Sequence, residues 1–150
     1  MKAVFVAVWA AVLVGVCAGC RCAQRPFCPT VEDSALLVKG RVKKVEKVPG
    51  KPYTIRYKVR VPRVFKGEKP ERCLACPGLN RGDVVWVETS ASSAACGSIL
   101  KVGALYLLDL YQSSGIHGPY STNSCSLTKP WESVSKEERR VLRRGVVCPK

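Results

Sequence analysis

The sequence predicts an all-β fold: a five-stranded antiparallel barrel followed by one helix and stapled by disulfides. Three observations carry this reading. One stretch alternates strictly between apolar and charged residues. Pro- and Gly-containing breaks divide the chain into short extended segments. The cysteines are dense, and they become even in number once an apolar leader is set aside.

The leader is the first element. Ala3 to Ala18 forms an apolar run behind Lys2 and ends in Val16-Cys17-Ala18-Gly19. Small residues there are what signal peptidase requires, and a run of about 16 residues falls short of the roughly 20 that a membrane span needs. Residues 1–19 therefore read as a signal peptide and residues 20–150 as one secreted, extracellular domain with no membrane attachment. Cleavage after Ala18 satisfies the small-residue rule as well as cleavage after Gly19. Of 25 Lys+Arg and 9 Cys, the leader holds Lys2 and Cys17, leaving 24 basic residues against 11 acidic ones and eight cysteines. An even, dense set behind a leader implies four disulfides in an oxidising compartment, with 105 possible connectivities.

The strands follow in order. Ser34 to Val48 reads SALLVKGRVKKVEKV, with valines set among basic residues. Tyr53 to Phe65 reads YTIRYKVRVPRVF: Tyr53, Ile55, Tyr57, Val59 and Val61 share one face, and Thr54, Arg56, Lys58 and Arg60 share the other. Such alternation marks a half-buried strand. Val48-Pro-Gly-Lys-Pro turns one segment into the other, and Pro62 points to an edge or a bulge near the second strand's end. Gly67 to Asp83 is a polar loop holding Cys73 and Cys76; Val84 to Thr89 and Val102 to Leu110 are the third and fourth strands. Tyr120 to Leu127 is the fifth. Ser135 with Glu138 fits a capping box opening a helix over Lys136 to Arg144, and Gly145 fits its stop. Five short strands and a late helix indicate a barrel of the oligonucleotide/oligosaccharide-binding type.

The charge, near +13 without the leader, suggests a polyanionic neighbour. Secretion favours a glycosaminoglycan or an acidic protein surface and argues against nucleic acid. Arg56, Lys58 and Arg60 are the first candidates for such contact, with Lys39, Arg41, Lys43 and Lys44 on the first strand. A merely solvated sheet face explains them equally well. Asn80 and Asn123 lack the third residue of a glycosylation sequon.

Cys20-Arg21-Cys22 stands where the leader ends. If cleavage falls after Gly19, Cys20 carries a free α-amine. That amine and the carbonyl of the same residue are two hard donors on one five-membered chelate ring, able to cap a metal ion held by another protein.

The region from residue 20 to 150 resembles the inhibitory N-terminal domain of the tissue inhibitors of metalloproteinases, a branch of the netrin-like module family. The resemblance rests on Cys20-Arg21-Cys22, Phe27-Cys28, the basic hairpin and Phe65-Lys66-Gly67. It continues through Ala95-Cys96-Gly97, Ser124-Cys125-Ser126, and Pro130-Trp131 ahead of a helix ending near Cys148. It implies a non-enzymatic, monomeric inhibitor with no cofactor of its own. The inhibitory ridge would comprise Cys20, Arg21, Cys22 and Ala23 with Ser93, Ala94, Ala95 and Cys96, and the Cys20 amine and carbonyl would displace the catalytic water on the target's zinc. It also implies the pairs Cys20–Cys96, Cys22–Cys125 and Cys28–Cys148. Cys73 and Cys76 are left for a local bridge, with a redox pair or a zinc half-site as alternatives. In the family the side chain after the first cysteine enters the protease's specificity pocket and is usually Thr or Ser. Here it is Arg21, a cation that an apolar pocket disfavours. The family's C-terminal domain is expected to be absent, because the chain ends two residues after Cys148. A netrin-like module that binds matrix through its basic face, and inhibits nothing, is the competing expectation.

Enzyme chemistry finds no support. Ser92 and Ser93 lack a His/Asp pair, and Asp83 and Asp109 form no recognisable couple. His117 lies in a Gly/Ser turn and reads as a surface residue, while Trp86 and Trp131 read as core.

Overall fold

A computed structural model describes residues 19–69, 78–112 and 118–149. In chain order these residues form α1 (Phe27–Asp33), β1 (Leu36–Val48), β2 (Lys51–Lys66), β3 (Val84–Ser90), a 3-10 turn (Ser93–Ala95) and β4 (Leu105–Gln112). There follow β5 (Tyr120–Ser121), β6 (Thr128–Pro130), a second 3-10 turn (Trp131–Ser133) and α2 (Lys136–Arg143). The sheet runs β1-β2-β3-β5-β4, and β4 pairs back onto β1, so five strands close a ring. β6 adds to β4 outside that ring. The ring is the five-stranded barrel the sequence predicts, antiparallel at every pairing except β3–β5, which is parallel.

Closure makes two of the strands buried on both faces. On β1, Val38 and Val42 join Tyr57, Val59, Val61, Val87 and Leu108 inside the barrel. Leu37 points the other way, into a second core with Val31 of α1, Leu107 of β4, and Val134, Leu142 and Val146 at the C-terminal end. β4 repeats the pattern, with Leu108 inward and Leu107 outward. A strand covered on both sides reads as a continuous apolar run, which is how Leu36-Leu37-Val38 and Leu105 to Leu108 stand in the sequence. Gly40 sits where β1 passes closest to the barrel interior: a Cβ there would meet Val59 Cγ1 at 2.6 Å and Leu108 Cδ1 at 2.8 Å.

The hairpin is as expected, and so is its irregularity. Lys39 pairs with Arg63 but Arg41 pairs with Arg60, so one extra residue is accommodated on β2 around Pro62. Pairing with β3 ends at Arg60, leaving the proline without a ladder partner on that side. The helix is also as expected. Ser135 Oγ accepts from the Glu138 backbone nitrogen and the Glu138 carboxylate accepts from that of Ser135.

Three expectations need correcting. The fifth strand is not continuous: after β5 the chain turns through residues 122–127, a bend that carries the bridged Cys125, before β6. The fourth strand begins at Leu105, because Val102 and Gly103 form a turn. Trp86 and Trp131 are half-buried on the outside of the barrel, where cationic side chains lie over them. α1 was not anticipated; it is only seven residues long and starts behind Pro26, with no side-chain cap to announce it.

Candidate functional site

The predicted ridge residues converge at one end of the barrel, on two segments that are far apart in sequence. The first is the extended run from Gly19 to Pro26. The second leaves β3 and folds into the 3-10 turn Ser93–Ala95. Cys96 ends that turn in the left-handed conformation, φ 59°, with its nitrogen donating to Ser93 O at 3.1 Å. Gly97 N returns to Ser92 O at 2.9 Å. Only glycine fits at position 97, since a Cβ would lie 2.0 Å from Ser90 O.

Covalent bonds then join the segments. Cys20 is bridged to Cys96 and Cys22 to Cys125, each with Cα atoms 5.1 Å apart. Cys28 at the start of α1 is bridged to Cys148, with Cα atoms 5.8 Å apart. These are the three pairings the resemblance implies. The backbone nitrogen of Cys20 donates to Ala94 O at 3.1 Å, so the residue is held on both sides of its Cα. Ser124 N donates to Cys96 O at 2.8 Å, which ties the Cys125 bend to the same turn.

Arg21, Cys22 and Ala23 are exposed, as are Ser93, Ala94 and Ala95; Cys20 and Cys96 are partly covered. The ridge is therefore a narrow exposed strip on a cross-linked base. It carries no carboxylate between residues 19 and 26 or between 91 and 97. Its cations are Arg21 and Arg25, and Arg25 is paired with Asp33 of α1. The Sγ atoms of Cys20, Cys22, Cys96 and Cys125 lie within 4.8 Å of one another, a grouping with the look of a metal site. All four are committed to bridges, so they offer no thiolate, the form in which cysteine ligates metals.

One residue that organises the ridge escaped the sequence reading. Asn123 Oδ1 accepts from the backbone nitrogens of Cys125 at 2.8 Å and Ser126 at 2.9 Å, while its Nδ2 donates to the Tyr111 hydroxyl at 3.1 Å. This Asx turn shapes the bend that presents Cys125. An Asn two residues before a cysteine, in a Ser-rich turn, is the signal that could have revealed it.

Beside the ridge, a cavity of about 480 Å³ is lined in part by Ala23, Arg25, Asp33, Asp109 and Cys125. Burial pushes the Asp109 carboxyl above its usual range, opposed by the Ser34 hydroxyl and by Lys66. Asp83 does not appear in that lining. Cys73, Cys76 and His117 lie outside the described residues, as do residues 1–18.

The profile of the tissue inhibitor of metalloproteinase family matches residues 15–146. The chain belongs to that family. The matched region contains the ridge, the barrel and α2 of this tissue inhibitor family member, and all the bridged cysteines except Cys148. A search of curated proteins finds no match. Among the described residues no helix is long and apolar enough to cross a membrane.

Of the proposed polyanion contacts, Lys58 and Arg60 are exposed on the outer face of β2. Arg56 is half-buried, hydrogen-bonded through Nε to Glu46 Oε1 at 2.7 Å and lying over the Trp86 ring at 4.5 Å.

Proposed function

We propose that this protein is a secreted inhibitor of zinc metalloproteinases that acts through a mature N-terminus at Cys20. Family membership supports the inhibitor role in general. The reading of the mechanism rests on one observation: the hydrogen bond from Cys20 N to Ala94 O, set directly beside the Cys20–Cys96 bridge.

A neutral α-amine has two N–H groups and one lone pair. In the structure Gly19 precedes Cys20 and the donor is a peptide N–H; were the same contact kept after cleavage, one amine hydrogen would point to Ala94 O and the lone pair would take a set direction beside the Cys20 carbonyl. A catalytic zinc keeps one position for water beyond its three protein ligands, and an amine–carbonyl chelate can occupy that position. An α-amine has a pKa of about 7.7–8.0, so an appreciable neutral fraction exists at physiological pH and metal binding draws out more of it. The Cys20–Cys96 bridge closes a loop of about 77 residues, worth roughly 4–5 kcal/mol in the loop-entropy model. Because the terminus is ordered beforehand, little of the binding free energy is lost in fixing it. Arg21 then sits where the protease's specificity pocket begins, and selects targets whose pocket tolerates or neutralises a cation.

The test is a tight-binding titration of several metalloproteinase catalytic domains with secreted protein whose N-terminal mass has been verified. A second protein carrying one extra alanine before Cys20 is titrated in parallel. Inhibition by the native form, and its loss by a factor of a hundred or more in the extended form, is the expected result. Equal inhibition by both forms would rule out the terminal chelate, and no inhibition by a form confirmed to begin at Cys20 would overturn the inhibitor reading for that panel.

A further inference from the structure

The cavity of about 480 Å³ beside the ridge shares residues with it, since both Ala23 and Cys125 line its wall. Its charges run against those of the molecule. The chain carries a formal charge of +14, yet the lining holds the carboxylates Asp33, Asp109 and Glu138 against the cations Arg25 and Lys129. Both cations are already engaged. Arg25 is paired with Asp33, and Lys129 Nζ lies 2.8 Å from Glu138 Oε2. Asp109 is the carboxylate left over.

On β4, Leu108 and Leu110 point into the barrel, so Asp109 between them faces outward, toward α1 and the cavity. Among the described residues it makes no ion pair. Lys66, the cation that acts on it, is tied through Nζ to the carbonyl oxygens of Val31 and Glu32 near the end of α1. The buried Ser34 hydroxyl beside it has one hydrogen to give, and Thr30 O competes for it at 2.9 Å. Asp33, Asp109 and Glu138 do not gather closely enough to share a metal ion. Their complement is a single extended organic cation. A guanidinium meets a carboxylate with two parallel N–H groups and can lay its plane against an aromatic wall, which Phe27 supplies here.

We propose that this cavity is a socket for one arginine side chain that the target protease presents beside its cleft, with Asp109 as the residue that binds it. The protease as the source of that arginine rests on the inhibitor reading; the guanidinium socket itself does not. A protease seated on Cys20 to Ala23 covers the mouth of the cavity, because Ala23 belongs to both surfaces. The entering cation gives Asp109 the partner that burial otherwise demands and the fold withholds. Selection among proteases is then divided between two places. Arg21 tests the pocket inside the cleft, and Asp109 tests the rim outside it.

The test uses the whole disulfide-bonded protein with its N-terminus verified at Cys20. Butylguanidinium is titrated into isotope-labelled protein, with butylurea as the uncharged isostere, and backbone amide shifts are followed. Saturable shifts at Ser34, Asp109 and Leu127 are expected for butylguanidinium alone, and Asp109→Asn should abolish them. No shifts, equal shifts from both probes, or shifts that survive Asp109→Asn would overturn the socket; the comparison of probes needs no variant to fold. Inhibition of a panel of metalloproteinase catalytic domains is measured next. Asp109→Asn is expected to raise the inhibition constant about tenfold for at least one enzyme, the loss of a hydrogen bond to a charged group. Blocking that enzyme's arginines should erase the difference. Glu132→Gln, at an exposed position in the second 3-10 turn, should change inhibition by less than about twofold. Equal losses in the two variants would reduce the effect to net charge and overturn the socket. Inhibition that Asp109→Asn leaves unchanged for every enzyme would overturn this inference and leave the terminal chelate standing. A protein that binds butylguanidinium but inhibits nothing would overturn the inhibitor reading, and with it the protease as the source of the arginine.

Discussion

The nitrogen of Cys20 and the carbonyl oxygen of Ala94 are 3.1 Å apart, although 74 positions separate the residues in the chain. This contact turns the 3-10 turn Ser93–Ala95 into a cradle for the Cys20 segment. The disulfide to Cys96 fixes the distance between the two segments, and the hydrogen bond fixes the orientation. A disulfide alone would leave the backbone of residue 20 free to rotate about its side chain.

Gly97→Ala tests the cradle. The added Cβ meets backbone at 2.0 Å, so no side-chain rotation relieves it and the turn must shift. Destabilisation of about 1–3 kcal/mol is expected from such overpacking. Thermal unfolding measures it, and the inhibition constant should worsen by more than the loss of folded protein accounts for. A variant of unchanged melting temperature and potency would show that the 3-10 turn yields freely.

Asn123→Ala tests the other wall. It removes the acceptor for two backbone nitrogens in the Cys125 bend. A loss of roughly 1–3 kcal/mol is expected where those donors find no replacement. Asn123→Asp, which keeps the acceptor, should restore most of it. Chemical denaturation of the three proteins decides the matter, and equal midpoints for Ala and Asp would contradict this role.

Arg21→Thr separates potency from stability. Arg21 is exposed, so the melting temperature should not move. Inhibition of an enzyme with a deep apolar pocket should tighten by about tenfold or more, because the cation no longer has to be desolvated. An unchanged inhibition constant would place the Arg21 side chain outside the pocket.

Asp109→Asn gives a pH signature. Burial raises this carboxyl in the folded state, so the native protein holds a proton that the unfolded chain releases. The stability it contributes therefore falls as pH rises from the unfolded value of about 3.9 through the folded one. The asparagine variant should gain on the wild type between pH 3 and pH 7, followed by urea unfolding at each pH. A constant difference across that range would remove burial as the controlling influence.

The parts of the fold legible in the sequence were those with a strong period or a local chemical signature. Tyr57, Val59 and Val61 alternate with Lys58 and Arg60, and the structure keeps that alternation. Ser135 and Glu138 announce α2 because both halves of the capping box lie within one turn. α1 and the β5–β6 break carry no such mark, since disulfides and packing against the second core hold them rather than local preference. The ridge residues were named by resemblance, and their convergence depends on contacts between positions as distant as Cys22 and Cys125. Trp131 packs against the second core but is only half-buried; apolar bulk alone does not reveal that its ring also carries Lys39 and Arg139 on the barrel's outer wall.

The described bridges span 76, 103 and 120 positions, and each begins at one of the first three cysteines of the domain. If the chain is secreted, as proposed, Cys20, Cys22 and Cys28 reach the oxidising lumen together, before any of their partners. Among the described bridges the earliest closure waits for Cys96 and the last for Cys148. The three early thiols must be kept from pairing with one another throughout that interval. On the proposed secreted route, forming the correct product becomes a matter of timing, and a thiol–disulfide isomerase would serve to reopen a premature pair.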